Sequence, residues 1–295
     1  MSAKEKNIAI VLSAGRGTRM NTALPKQYLD LCGRPVLFWS LQAFEDFAAV
    51  EEVILVASEE DLTFCREEIV KKYQLSKVRK IVPGGSERYL SVWSGLKAID
   101  WERGNKDFKG INDIIDAGYE KNIRDEKGEN EAINKKETDD VKNGIKNMKE
   151  MPEDRYVFIH DGARPLLDQG MLDRLLRSVR EYRAAVAAMP VKDTIKIADE
   201  ENFAVSTPDR RTLWQVQTPQ VFEACMIRDA YEKLIQEKAS DVTDDAMVLE
   251  REAGIQVKLV EGSYRNLKIT TPEDLLTAEA LMRERFESER GMKGS

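Results

Sequence analysis

Positive charge beside glycine is the first chemical signal in the chain. Ser13-Ala14-Gly15-Arg16-Gly17-Thr18-Arg19-Met20 sets two glycines and two arginines directly after an apolar run. Glycine lets backbone N–H groups approach an anion closely, and successive N–H groups form a concave anion site. Ser13, Ala14, Gly15 and Gly17 are therefore candidates for holding nucleotide phosphates. Lys26 follows in Pro25-Lys26-Gln27-Tyr28, so Arg16, Arg19 and Lys26 fall within eleven positions. An ordinary strand-to-helix turn does not need that density of cations. The loop is not a Walker A sequence, because no Gly-Lys-[Ser/Thr] follows, and it is not Gly-x-Gly-x-x-Gly.

Two further clusters could do chemistry. Gly84-Gly85-Ser86-Glu87-Arg88-Tyr89-Leu90-Ser91-Val92 places a glycine pair ahead of a helix. Gly84 and Gly85 leave the backbone open to hydrogen-bond a ligand. Arg88 and Ser91 are one helical turn apart and are expected to face the same way. His160-Asp161-Gly162-Ala163-Arg164-Pro165 holds the only histidine of the chain. A lone histidine invites a general-base reading. Where the nucleophile is a phosphate monoester, its second pKa of about 6 leaves it already anionic and in no need of a base. His160 is therefore read as structural. Asp161 is suited to an acceptor's hydroxyls or to the surroundings of a metal. Arg164 could contact phosphate or lock the loop to Asp161, and both readings stay open.

The elements that carry these residues follow from hydrophobic patterning. Asn7–Ser13, Glu52–Ser58, Val78–Val82, Tyr156–His160 and Ala184–Met189 read as buried strands. Between them, 35–44, 59–73, 87–99 and 171–182 have helical spacing. This alternation predicts an α/β fold with a Rossmann-like, mostly parallel sheet and helices on both faces. Such sheets bind nucleotides at the carboxyl ends of their strands. Asp193–Pro208 breaks the rhythm and reads as a hairpin projecting from the sheet. Residues 102–154 mix both charge signs with few large apolar groups and read as a solvated, flexible insertion into a single domain.

Five motifs in order resemble the 2-C-methyl-D-erythritol 4-phosphate cytidylyltransferase family. They are the L-x-A-G-x-G-x-R-M start with Pro-Lys-Gln, GG-x-x-R-x-x-S-V and HD-x-A-R-P. The fourth is the series P-x-x-D-T-I (190–195), R-x-x-L-W (210–214) and Q-T-P-Q-x-F (217–222), and the fifth is Asn266-Leu267-Lys268-Ile269-Thr270. Ser13 and Gly162 stand where that family usually has alanine. The resemblance implies that Arg19, Lys26 and Lys268 neutralise the triphosphate and the five-coordinate phosphorus. It implies that Gly84, Gly85, Arg88 and Ser91 hold the base and ribose of CTP. It also implies that residues 191–211 form an arm embracing a second subunit, whose acceptor phosphate meets Thr194 and Arg210. Asp161, Arg164 and Lys268 complete the acceptor side, and small residues at Gly162 and Ala163 are expected to leave room beside the acceptor.

The implied reaction transfers CMP from CTP to 2-C-methyl-D-erythritol 4-phosphate in isoprenoid precursor synthesis. Mg²⁺ would be held mainly by CTP phosphates, with no dedicated protein cage. Ribitol 5-phosphate is the alternative acceptor. A uridylyl- or guanylyltransferase fits the second and third motifs less well, and a non-catalytic dimeric scaffold would not need the cations. A net charge of −7 argues against nucleic-acid partners. No apolar run approaches the roughly 20 residues that span a bilayer. Cys32, Cys65 and Cys225 are odd in number and far apart, which suits core packing in a reducing cytoplasm.

Overall fold

A computed structural model describes residues 6–15, 24–101, 155–238 and 241–293. The insertion expected at 102–154, and Arg16, Gly17 and Arg19 of the glycine loop, lie outside these described residues.

A seven-stranded sheet forms the centre. Its strands are β1 (Asn7–Ser13), β4 (Val50–Ala57), β5 (Val78–Pro83), β6 (Tyr156–Asp161), β7 (Ala184–Pro190), β10 (Trp214–Glu223) and β11 (Lys258–Glu261). Their spatial order is β11-β7-β10-β6-β1-β4-β5. β1 pairs in parallel with both β4 and β6, and β4 with β5. β10 alone runs against its neighbours β6 and β7. Chain order moves outward from β1 in one direction through β4 and β5, then reverses at β6, which makes the carboxyl ends of β1 and β6 the switch point where α/β sheets bind ligands.

Alternating strand side chains feed two cores. Ala9 and Val11 of β1 join α1 (Val36–Glu45) and the Gln169–Tyr182 helix in one. Ile8 and Ile10 join the helices Arg88–Lys97, Ala224–Gln236 and Asp245–Ala253 in the other. Period-two alternation explains this, since successive side chains leave opposite faces of a strand. A third cluster, around Leu31, Val36, Ile269 and Met282, seats the carboxyl-terminal helix Pro272–Lys293 against α1. Short strands β2 (Asp30–Leu31) and β3 (Arg34–Pro35) form a separate turn before α1.

Three departures from the sequence reading have physical causes. The segment expected as one helix over 59–73 is instead a 3-10 turn (Glu59–Asp61), a short α-helix (Leu62–Phe64) and a π-helical stretch (Cys65–Lys71). Widened i→i+5 bonding, such as Lys72 N–H to Glu67 O, accompanies burial of both Cys65 and Ile69. β10 was not anticipated as a strand, because Pro219 cannot donate to a ladder; the register with β7 shifts between Val216 and Gln220, around that proline. The hairpin, finally, is shorter than its pattern: β8 (Ile197–Ala198) pairs with β9 (Ala204–Ser206) in a sheet of its own. Its apolar side chains face outward, with Ile197 52%, Phe203 67% and Val205 62% exposed.

Candidate active site

Chain ends of β1, β5 and β6 converge on one edge of the sheet. Gly84 N–H bonds Ala57 O at the end of β4, and Gly162 N–H bonds Leu12 O near the end of β1. A Cβ on Gly84 would lie 2.4 Å from the Ala14 Cβ and 2.8 Å from the Ser91 Oγ, so the two glycine segments touch and only glycine fits there. Gly15 has open space around it. Ser91 turns its hydroxyl back to receive the Gly85 N–H at 3.1 Å, which fixes the Gly84-Gly85 turn. Arg88, one turn earlier, goes elsewhere, so the two side chains expected to face together do different work.

Asp161 is the centre of the charged cluster. Its Oδ2 receives Lys268 Nζ at 2.8 Å. Arg164 Nε stands 3.6 Å from the same oxygen, and Arg88 Nε 3.6 Å from Oδ1. Burial alone would raise the Asp161 pKa, but the Arg88, Lys268 and Arg164 charges hold it well below the usual carboxylate range. One anion thus gathers three cations from β6's own loop, the Arg88 helix and the segment after β11.

Arg88 and Arg164 are anchored from behind. Arg88 makes a two-pronged bond to Asp245, Nη1 to Oδ1 at 2.8 Å and Nη2 to Oδ2 at 2.7 Å. Tyr231 OH adds a bond of 2.6 Å to Asp245 Oδ1. Planar forks of this kind fix a guanidinium more tightly than a point charge could. Arg164 Nη1 donates to Asn266 O at 2.8 Å, so Arg164 locks its loop to the Lys268 segment while facing Asp161. Asn266 is fully buried, and its Nδ2 donates to Thr218 O at 2.8 Å and Gln217 Oε1 at 3.3 Å.

His160 is enclosed. Nε2 lies 3.2 Å from Arg164 O and Nδ1 3.0 Å from Thr218 Oγ1. A carbonyl only accepts, so Nε2 carries the proton, and the neutral ring leaves Nδ1 to accept from the Thr218 hydroxyl. Thr218 in turn accepts the Asp161 N–H at 3.0 Å. Burial pushes the His160 pKa down to about 4, with Asp161 opposing and Arg164 reinforcing that shift. Both ring nitrogens are thereby committed to holding the loop.

Lys26 lies on a 3-10 turn, Lys26–Tyr28, just past the glycine loop. Thr194 and Arg210 belong to the hairpin segment. Among the described residues neither bonds the Asp161 cluster, and Arg210 Nη1 bonds Lys192 O at 2.9 Å. The room expected beside Gly162 is not there: a Cβ would meet Leu37 Cδ1 at 2.8 Å and Leu12 O at 2.9 Å, and Ala163 is buried. Small size at these positions serves close packing of the β6 loop on β1. Thr218 and Asn266 lie inside the fourth and fifth motifs but carried no role there, and Asp245 stands in none of the five. Thr243-Asp244-Asp245-Ala246 did carry a signal, since Asp244 caps the following helix by accepting from Met247 N.

An open sheet with glycine segments and gathered cations at the switch point defines a nucleotide-handling α/β enzyme, a nucleotidyltransferase. The chain matches the family described as 2-C-methyl-D-erythritol 4-phosphate cytidylyltransferase over residues 7–108 and 133–284. It is 42% identical over 270 residues to the protein of that name from Lachnospira eligens, covering 91% of this chain and 96% of that one. It is 39% identical over 275 residues to the one from Caldanaerobacter subterraneus, covering 93% and 98%. Its fold is similar to the crystal structure of 4-diphosphocytidyl-2C-methyl-D-erythritol synthase from Anaerococcus prevotii, with TM-score 0.67, 26% identity, and 95% and 100% coverage. The chain belongs to the 2-C-methyl-D-erythritol 4-phosphate cytidylyltransferase family, and it is a cytidylyltransferase. No helix among its described residues is long and apolar enough to cross a membrane.

Proposed function

We propose that this chain transfers CMP from CTP to 2-C-methyl-D-erythritol 4-phosphate, releasing pyrophosphate, in the cytoplasmic synthesis of isoprenoid precursors. The observation that carries the reading is the Asp161 cluster, with Lys268, Arg88 and Arg164 drawn to one buried carboxylate beside the Gly84-Gly85 and Ser13–Gly15 segments.

An acceptor phosphate oxygen attacks the α-phosphorus of CTP in line. A new P–O bond forms as the bond from the α-phosphorus to its bridging oxygen breaks, and pyrophosphate leaves with that electron pair. Two polyanions must approach, so neutralising charge is the main catalytic demand. Arg19, Lys26 and Lys268 meet it. Ser13, Ala14, Gly15 and Gly17 offer backbone N–H groups to the phosphates, and Gly84 and Gly85, their turn fixed by Ser91 and flanked by Arg88, hold the nucleoside. Asp161 accepts from acceptor hydroxyls. It also keeps Lys268 at the site before substrate arrives, through their 2.8 Å ion pair.

Mg²⁺ would arrive with CTP and lessen phosphate charge. Asp161, the carboxylate at the centre of the site, is engaged by Lys268, Arg88 and Arg164, so the ion would rest mainly on the phosphates. The outward apolar side chains of the β8–β9 hairpin support a homodimer in which this arm carries Thr194 and Arg210 into the partner subunit's site. The acidic net charge counts against a nucleic-acid partner.

Acceptor choice is tested by comparing kcat/KM for methylerythritol phosphate and ribitol 5-phosphate at fixed CTP. A fitted methyl group is worth roughly 10–200-fold, and methylerythritol phosphate is expected to lead by a factor in that range. A higher value for ribitol 5-phosphate would reassign the acceptor and leave CMP transfer standing.

A further inference from the structure

Lys26 sits on a turn of three residues that has no place in the sheet, yet the turn is held at both ends. Tyr28 N–H bonds Pro25 O at 2.9 Å, closing the turn itself. The two side chains after Lys26 then point inward, with Gln27 3% and Tyr28 8% exposed. Gln27 Nε2 donates to Ser13 O at 2.8 Å, where β1 ends and the glycine loop begins. Tyr28 OH lies 3.1 Å from Asp61 Oδ2 and 3.3 Å from Cys65 Sγ. Its ring stands edge-on to Phe64, with centroids 4.8 Å apart. Asp61 also accepts from the hydroxyl of Ser58, the residue after β4. Cys65 opens the π-helical stretch, an irregularity that recurs at functional sites. Burial pushes the Tyr28 phenol pKa up, so it stays a donor to Asp61.

We propose that Tyr28 and Gln27 are positioning residues for Lys26, tying its turn to the ends of β1 and β4 so that the ammonium meets the reacting phosphate from a fixed backbone. Neither side chain is placed to touch substrate; both act through Lys26. The inference rests on the reading of Lys26 as a catalytic cation. Its physical basis is that catalysis by charge needs the charge preorganised, and a displacement of about 1 Å can cost on the order of 10²-fold.

Tyr28→Phe removes one hydroxyl and keeps the ring against Phe64. It should be made in the native chain and in Lys26→Ala, with kcat and the KM for CTP measured per CTP-binding site, so that unfolded protein is not counted. The native background should lose about tenfold in kcat, with KM changed less than about twofold. In Lys26→Ala the same substitution should cost less than about twofold, since partners in one device do not add. Gln27→Met, which deletes the donor to Ser13 O at similar size, should repeat the pattern and serves if Tyr28→Phe folds poorly. An equal loss in both backgrounds, or no loss in the native one, overturns the proposal. Near-normal turnover of Lys26→Ala itself would overturn the role of Lys26, and the positioning role with it.

Discussion

Lys26→Ala should lower kcat by roughly 10²–10³-fold, by comparison with the loss of one preorganised electrostatic donor. As the α-phosphorus becomes five-coordinate, negative charge grows on oxygens that the ground state leaves less charged. A cation fixed beside them gains more in the transition state than in the Michaelis complex, which is the condition for raising kcat. The fold should survive. Lys26 lies on a half-buried turn, and Gln27, Tyr28 and the backbone supply bonds to that turn that do not depend on its side chain. Circular dichroism and thermal unfolding would confirm folding, and steady-state pyrophosphate release would give kcat. A folded Lys26→Ala enzyme with turnover within a few-fold of the native one contradicts the assignment.

Inactive subunits should restore one another. Arg210→Ala is expected to abolish acceptor use in the partner's site, and Lys26→Ala to disable its own. Mixed and allowed to exchange, half of the dimers pair one of each. Each such dimer holds one site with both residues native and one with neither, so random pairing returns about a quarter of native activity. The reason to expect this lies in the hairpin. It is a two-stranded sheet detached from the main one, with apolar side chains turned to solvent, and an isolated two-stranded hairpin is marginally stable at best. Activity is read after exchange has been verified by mass-tagged subunits. Failure to recover, with exchange verified, would mean that Arg210 serves its own subunit.

Much of the sheet was legible because its strands are β-branched apolar runs ending at glycine or charge. β1, β4, β5, β6 and β7 were each placed to within about two residues at either end. β10 was not, because Pro219 and three glutamines hide a central strand that is antiparallel and shifted in register. The helix at 59–73 was read from spacing that does not distinguish α from π bonding. At the site, the cations stood out by their density near glycine. The side chains that aim them did not. Asp245 bonds Arg88 from 157 positions away, and Asn266 and Thr218 join three segments through single hydrogen bonds. Pairing over such separations leaves no local pattern. Gly162 was misread for a related reason, since whether a small residue makes room or fills a contact depends on the neighbouring strand.

The most direct measurement follows the label of CTP carrying ³²P at either its α or its γ position. With methylerythritol 4-phosphate present, α-label should move into a cytidine diphosphate adduct of the acceptor and γ-label into pyrophosphate, in equal amounts and only with acceptor added. Retention of α-label in CTP, or its appearance as free CMP regardless of acceptor, would contradict CMP transfer by this chain.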